Sequence, residues 1–211
     1  MRIRQAGISR DTRSFSTLPL CSESLAGELV AVGRLVSDKG FDVLLDAARR
    51  QGLGAIAVTD HNRLGVALEM AARHPDAVIP GEEVKTAEGI DLIGLYLSEE
   101  IPKGTPMVEC CRRIRDQGGV IYLPHPYAAG KGGSGRHAEG LAPEVDVVEV
   151  FNARLLSSDA NARALSLASA HGKPRGAGSD AHTSGEVGNA WVETAWHENT
   201  PGALLQALRD P

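Results

Sequence analysis

The chain has 211 residues with 22 basic and 27 acidic side chains, a formal charge of −5, 42% hydrophobic residues and 23% charged ones. This composition excludes collagen-like and disordered chains and fits one globular domain large enough to hold a core without disulfides. The acidic balance, with a pI near 5.8, argues against a protein that grips nucleic acid by bulk charge, so any contact with a polyanion has to be local.

Residues 1–27 carry Arg2, Arg4, Arg10 and Arg13 among several Ser and Thr, with neither a clean periodicity nor a strand pattern, and read as a poorly ordered or atypical segment. A transit-peptide reading is also open, with Asp11 and Glu23 counting against it. Residues 28–211 read as a single domain. Helical patterns fall at 41–51, 64–73, 106–117 and 159–170, the third opened by Thr105 as N-cap and Pro106 at the first helical position. Apolar, β-branched runs at 55–59, 77–79, 92–97, 119–123 and 145–151, with weaker ones at 175–178 and 190–194, read as strands. Most are too continuous for a strand with one wet face. Strand and helix alternate, which predicts parallel strands with crossover helices, in an open doubly wound sheet or a closed barrel. No apolar run approaches the ~18 residues of a membrane span and no secretory signal opens the chain, so a cytoplasmic location is expected. Cys21, Cys110 and Cys111 read as reduced, the latter two being neighbours in a helical pattern where a mutual disulfide would be strained.

The histidines carry the functional signal. His61, His125 and His182 follow directly on strand runs, in Thr59-Asp60-His61-Asn62, Pro124-His125-Pro126 and Ser179-Asp180-Ala181-His182. In a parallel α/β fold the C-terminal ends of the strands share one rim, so these imidazoles are expected to meet there, joined by Glu82, Glu83 and Asn152. Imidazole and carboxylate together are a ligand set for zinc, manganese or iron, and a carboxylate can bridge two ions. The glycine-rich stretch 130–136 lacks P-loop spacing, but Lys131 and Arg136 on it, and Arg154 nearby, are candidates to hold a substrate phosphate, with His137 a further candidate to line the site.

Five motifs in order resemble the PHP (polymerase and histidinol phosphatase) family: Thr59-Asp60-His61-Asn62, Pro80-Gly81-Glu82-Glu83-Val84-Lys85-Thr86, Pro124-His125-Pro126, Val148-Glu149-Val150-Phe151-Asn152-Ala153-Arg154 and Gly178-Ser179-Asp180-Ala181-His182. The resemblance covers residues 37 to 194. It implies a distorted (β/α)7 barrel, with an incomplete first strand, and a cluster of two or three divalent ions (Mn, Zn or Fe), fewer here, at the C-terminal rim. The implied activity is hydrolysis of a phosphoester of a nucleotide, sugar phosphate or other small phosphate, nucleic acid ends included, by a metal-activated water. By motif, His61, Glu83, His125, Asp180 and His182 are the implied metal ligands, with Glu83 the bridge. His125 or His182 would protonate the leaving oxygen, Asp60 would be a ligand or an orienting partner, and Arg154, Arg136 and Asn152 would meet the substrate.

The family's opening His-x-His motif is missing: in the register set by Ser37-Asp38 its two positions fall on Ala31 and Gly33, which have no donor side chain. Asp38 is a candidate replacement donor. Two explanations stay open, a diverged member with a reduced or inactive site that works as a binding module, or a shifted reading frame or start over residues 1–36. Amidohydrolases, which cleave C–N bonds, build similar metal sites, but they also open with His-x-His and use a bridging lysine that this sequence does not place.

Overall fold

The computed structural model describes residues 2–5, 28–33, 41–130, 132–155 and 158–209. Its strands are β1 (Arg2–Gln5), β2 (Glu28–Gly33), β3 (Ala55–His61), β4 (Val78–Lys85), β5 (Asp91–Leu95), β6 (Val120–Leu123), β7 (Val147–Asn152), β8 (Arg175–Gly178) and β9 (Ala190–Thr194). Its helices are α1 (Phe41–Arg50), α2 (Gly65–Arg73), α3 (Met107–Asp116), α4 (Ala138–Leu141), α5 (Ser158–Ala170) and α6 (Pro201–Arg209). Strands β1 and β2 and helices α4 and α6 are additions to the elements expected from the sequence, whose first strand run begins at residue 55. Residues 6–27, with Cys21, lie outside the described residues, as do Asp38 and Lys131. Among the described residues no helix is long and apolar enough to cross a membrane.

The sheet is mixed α/β in order β1-β9-β2-β3-β4-β5-β6-β7-β8 and curls into a half-barrel. Hydrogen-bonded closure into a seven-stranded barrel is not present among the described residues, because β1 and β8 are edges. The curl is tied by a side chain instead. Buried Ser179, just past β8, donates its hydroxyl to the Ala190 carbonyl (2.9 Å) and accepts from the amides of Gly188 (3.2 Å) and Ala190 (3.3 Å).

The parallel arrangement expected from alternation holds for β2–β3–β4 and β6–β7–β8, but β5 is antiparallel to both of its neighbours and β9 to β1 and β2. The reason is local. Residues 86–90 make a tight hairpin, with the Thr86 hydroxyl donating to the Ile90 carbonyl (3.0 Å) and Gly89 at φ +78°, too short for a crossover. The chain then climbs back, the Gly104 amide reaching the Lys85 carbonyl (2.8 Å), before α3 descends and β6 rises. Helix α3 starts one residue later than expected, with Pro106 as N-cap and the Met107 amide held by the Glu88 carboxylate (2.9 Å).

Alternation along each strand separates two apolar layers. Ile56, Val58, Val84, Leu92, Ile121 and Val148 pack under α1–α5, while Ala57, Ile79, Ile93, Leu95, Tyr122 and Val192 fill the concave side with Leu204 and Leu208 of α6. Glu83 and Asp91 share parity with Ile79 and Ile93, so the same alternation turns them to the concave side. In β7 the pairing with β8 slips by one residue between Glu149 and Phe151.

Cys110 and Cys111 are buried against the helix layer and unbonded. Burial pushes their thiols up, to about 12 and about 11, so at neutral pH both stay protonated. Iodoacetamide at pH 8 is therefore expected to leave both unmodified in the folded chain and to alkylate both after unfolding, as read by peptide mass spectrometry. Labelling of either in the folded chain contradicts this packing.

Candidate metal centre

A cavity of about 360 Å³ opens at the ends of β3, β4, β6 and β8, lined by His61, Asn62, Glu83, Lys85, Asp91, Lys103, His125, Asp180 and His182. All five residues expected as metal ligands lie on its wall. Glu83 is the centre of the arrangement. Its Oε1 stands 3.2 Å from His125 Nε2 and its Oε2 3.6 Å from His61 Nε2, so each carboxylate oxygen faces one imidazole. Donor atoms of His61, Glu83 and Asp91 lie within 4.8 Å of one another. His182 Nδ1 is 2.9 Å from the Asp180 carbonyl oxygen. Donation from Nδ1 fixes the tautomer that leaves the Nε2 lone pair available.

The backbone is bent to make this site. Of four non-glycine residues with left-handed φ among the described residues, three line the cavity: Asn62 (53°), His125 (26°) and Asp180 (47°). Such conformations cost on the order of 1–3 kcal/mol each and cluster at functional sites. Two of the three are held by hydrogen bonds of their own amides. The Asn62 amide donates to the Glu83 carbonyl (3.0 Å) and its Oδ1 accepts from the Lys85 amide (2.9 Å). The His125 amide donates to Glu149 Oε2 at 2.6 Å.

The electrostatics suit cations. Burial alone would raise the Glu83 carboxyl, but the hydrogen bond from His125 and the charges of His125, His61 and Lys85 outweigh it and hold it below the usual range. Burial likewise opposes the charged form of His125, yet its hydrogen bond to Glu83 and the carboxylates of Glu149, Glu83 and Asp180 bring it up to about 9. Asp91 is raised by burial and by Glu83, with Lys85 at 2.8 Å partly offsetting them. The site thus gathers acid groups that pull the His125 imidazole toward its positive state, the same pull that draws a divalent ion.

Other expected site residues stand elsewhere. Asp60 is buried and, one residue before His61, turns to the opposite side of β3, in register with Glu82. Asn152 is buried beside Glu149, with Nδ2 donating to Glu149 Oε2 (3.0 Å). Arg154 directs Nη1 to both Glu186 oxygens (3.2 and 3.3 Å) and not into the cavity. Arg136 is exposed, its Nε 3.2 Å from His137 Nε2. The glycine-rich loop is packed as a wall: Gly132 accepts from the Asp91 amide (2.7 Å), and a Cβ there would lie 1.7 Å from Asp91 Oδ2. Of the other lining residues, Asp91 and Lys103 lie outside every motif in the sequence, whereas Asn62 and Lys85 lie inside motifs that gave them no role.

Residues 158–210 match the family model described as PHP-associated. Two uncharacterized proteins of Methanocaldococcus jannaschii are similar: MJ0417, 41% identical over 142 residues, and MJ1587, 37% identical over 113 residues. The aligned parts are 65% and 52% of this chain and 56% and 64% of those proteins, so the chain spans less than two thirds of either relative. Among solved structures, PsfC from Pseudomonas syringae superposes with a TM-score of 0.66 at 17% identity, over 88% of this chain and 90% of that one. A "putative metal-dependent phosphoesterase" from Bifidobacterium adolescentis superposes with a TM-score of 0.56 at 13% identity, over 74% and 88%. At these identities the two solved structures speak for the shared fold alone.

Proposed function

We propose that this chain is a metal-dependent phosphoesterase of PHP type, acting on a small phosphorylated substrate. The observation that carries the reading is the convergence of His61, Glu83, His125, Asp180 and His182, from four separate strand ends, on one cavity with Asp91. The donor set fits divalent ions: nitrogen and carboxylate oxygen suit manganese, zinc or iron, and the two Glu83 oxygens face separate imidazoles as a bridging carboxylate would. His61 and His182 would hold one ion, His125 with Glu83 a second, and Asp180 and Asp91 would complete the set. When bound, such ions supply Lewis acidity toward phosphoryl oxygens and lower the pKa of a water to near ~7.

The chain's own residues do the rest. Glu83, buried and ionised, fixes the two imidazoles, and His182 keeps its Nδ1 proton on the Asp180 carbonyl. Lys103 meets the substrate's anionic group. It sits at the second position of a tight turn, Pro102-Lys103-Gly104-Thr105, with Gly104 at φ +82° and the Thr105 amide bonded to the Pro102 carbonyl (3.1 Å). Lys85 is committed to Asp91, whereas Lys103 has no ion pair among the described residues. Lys103→Met is expected to raise KM for an aryl phosphate about tenfold with kcat within about twofold, because a charge-assisted contact of ~1.5–3 kcal/mol is lost equally from ground and transition states. Steady-state kinetics at several salt concentrations check this.

The test of the reading is metal content of the purified chain together with manganese-dependent hydrolysis of an aryl phosphate, against Asp180→Ala. Metal uptake with turnover well above that variant supports it; no uptake and turnover equal to the variant overturn it. A second reading, an inactive binding module of the same fold, is favoured by Ala31 and Gly33, which fall where the resembled family has its two opening histidines and carry no donor atom in their side chains. Metal uptake without turnover selects it.

A further inference from the structure

We propose that Glu149 and Glu186, joined through Asn152 and Arg154, are positioning residues that set His125 and His182 for a shared metal cluster. This rests on the metal-centre reading above and adds residues to it.

The observation is a continuous run of hydrogen bonds between the main chains of two histidines 57 positions apart in a 211-residue chain. The His125 amide donates to Glu149 Oε2 (2.6 Å), and Asn152 Nδ2 donates to the same oxygen (3.0 Å). Asn152 Oδ1 accepts from the Arg154 amide (3.0 Å), and the Arg154 guanidinium reaches Glu186 (3.2 Å). Glu186 Oε2 accepts from the His182 amide (2.7 Å) and from the Thr183 amide (3.1 Å). The Tyr122 hydroxyl completes Glu149 on its other oxygen (3.3 Å).

Neither carboxylate is placed to bind an ion itself, since neither lines the cavity. Both instead grip an amide at the residue whose ring does. His125 needs such a grip, because its φ of 26° is one that a residue with a side chain rarely adopts. Glu149 is 2% exposed, and a buried carboxylate with three donors around it is a fixed anchor. Outer partners that orient metal ligands typically change metal affinity by about 10–100-fold when removed. The pairing also accounts for Arg154, whose guanidinium is spent on Glu186 and serves the centre from behind.

The experiment titrates Co(II) into the full metal-free chain and reads affinity by calorimetry and ligand geometry by visible absorption. Arg154→Met touches neither histidine and is expected to weaken Co(II) binding about tenfold or more and to shift its visible bands. Glu149→Ala is expected to do the same, whereas Glu149→Gln keeps an acceptor oxygen for His125 and Asn152 and an amide facing Tyr122, and should bind within about threefold of wild type. Arg154→Met added to Glu186→Ala should cost nothing further, because both cut one link. A merely structural role would lower the melting temperature and leave the Co(II) spectrum of the folded protein unchanged, and wild-type affinity and spectrum in Arg154→Met overturn the proposal. Glu149→Gln as weak as Glu149→Ala overturns its hydrogen-bond basis. If Glu149→Ala does not fold, Arg154→Met decides. A wild-type chain that takes up no Co(II) removes the metal-centre reading itself, which is distinct from uptake unaffected by these substitutions.

Discussion

Glu83→Gln is expected to lower divalent-metal affinity by more than ~100-fold and to take turnover of an aryl phosphate with it. The bound is set by position: removing an outer partner costs roughly 10–100-fold, and Glu83 is a proposed ligand facing His125 at 3.2 Å and His61 at 3.6 Å. The substitution keeps shape and removes charge. It strips His125 of a carboxylate that favours its charged form, so His125 should titrate at a lower pH in the metal-free variant. Metal analysis after dialysis, kinetics across manganese concentration and the NMR titration of the imidazole protons check the three parts. Full metal retention with wild-type turnover would show that Glu83 does not share an ion between the two histidines.

Gly176→Ala is expected to be the most damaging small substitution in the sheet. A Cβ on Gly176 would lie 2.4 to 2.7 Å from the ring and hydroxyl of Tyr122, a buried side chain of the concave layer. The ring cannot yield easily, because Ile93 and Val147 stand in register with it on the two neighbouring strands. Overpacking of this kind costs roughly 1–3 kcal/mol, and each kcal/mol moves the melting temperature of a domain of this size by about 2–4 °C. Calorimetry should therefore show a loss of about 2–12 °C. Tyr122→Leu in the same chain should recover part of it, since the overlap disappears with the ring. A Gly176→Ala chain that melts with the wild type would mean that β7 and β8 are more loosely packed than described.

The rim residues were legible because each ends an apolar run, and a parallel strand delivers its last residue to a common edge. His61, His125, Asp180 and His182 were found that way. Asp91 was not, and the reason is direction: it begins β5, and in an antiparallel strand the first residue, not the last, reaches the rim. The turn at 86–90, with Gly89 between two apolar runs, was the signal for that reversal. Asp60 and Asn152 show the converse case. Both end apolar runs, but which side of the sheet a terminal residue faces depends on pairing partners that one sequence does not display. Arg154 drew attention through its charge and motif, and only the position of Glu186, 32 residues later, shows what that charge meets.

The slipped pairing in β7 has one more consequence. Glu149 and Asn152 are three residues apart, and in an evenly pleated ribbon an odd separation sends two side chains in contrary directions. The extra residue resets the count, which is how the Asn152 amide comes to rest on the Glu149 carboxylate. A deletion of Val150 would leave composition and hydrophobicity almost untouched while returning the ribbon to strict two-by-two rhythm, turning one of those groups away and severing the tether between the paired imidazole-bearing segments at its midpoint.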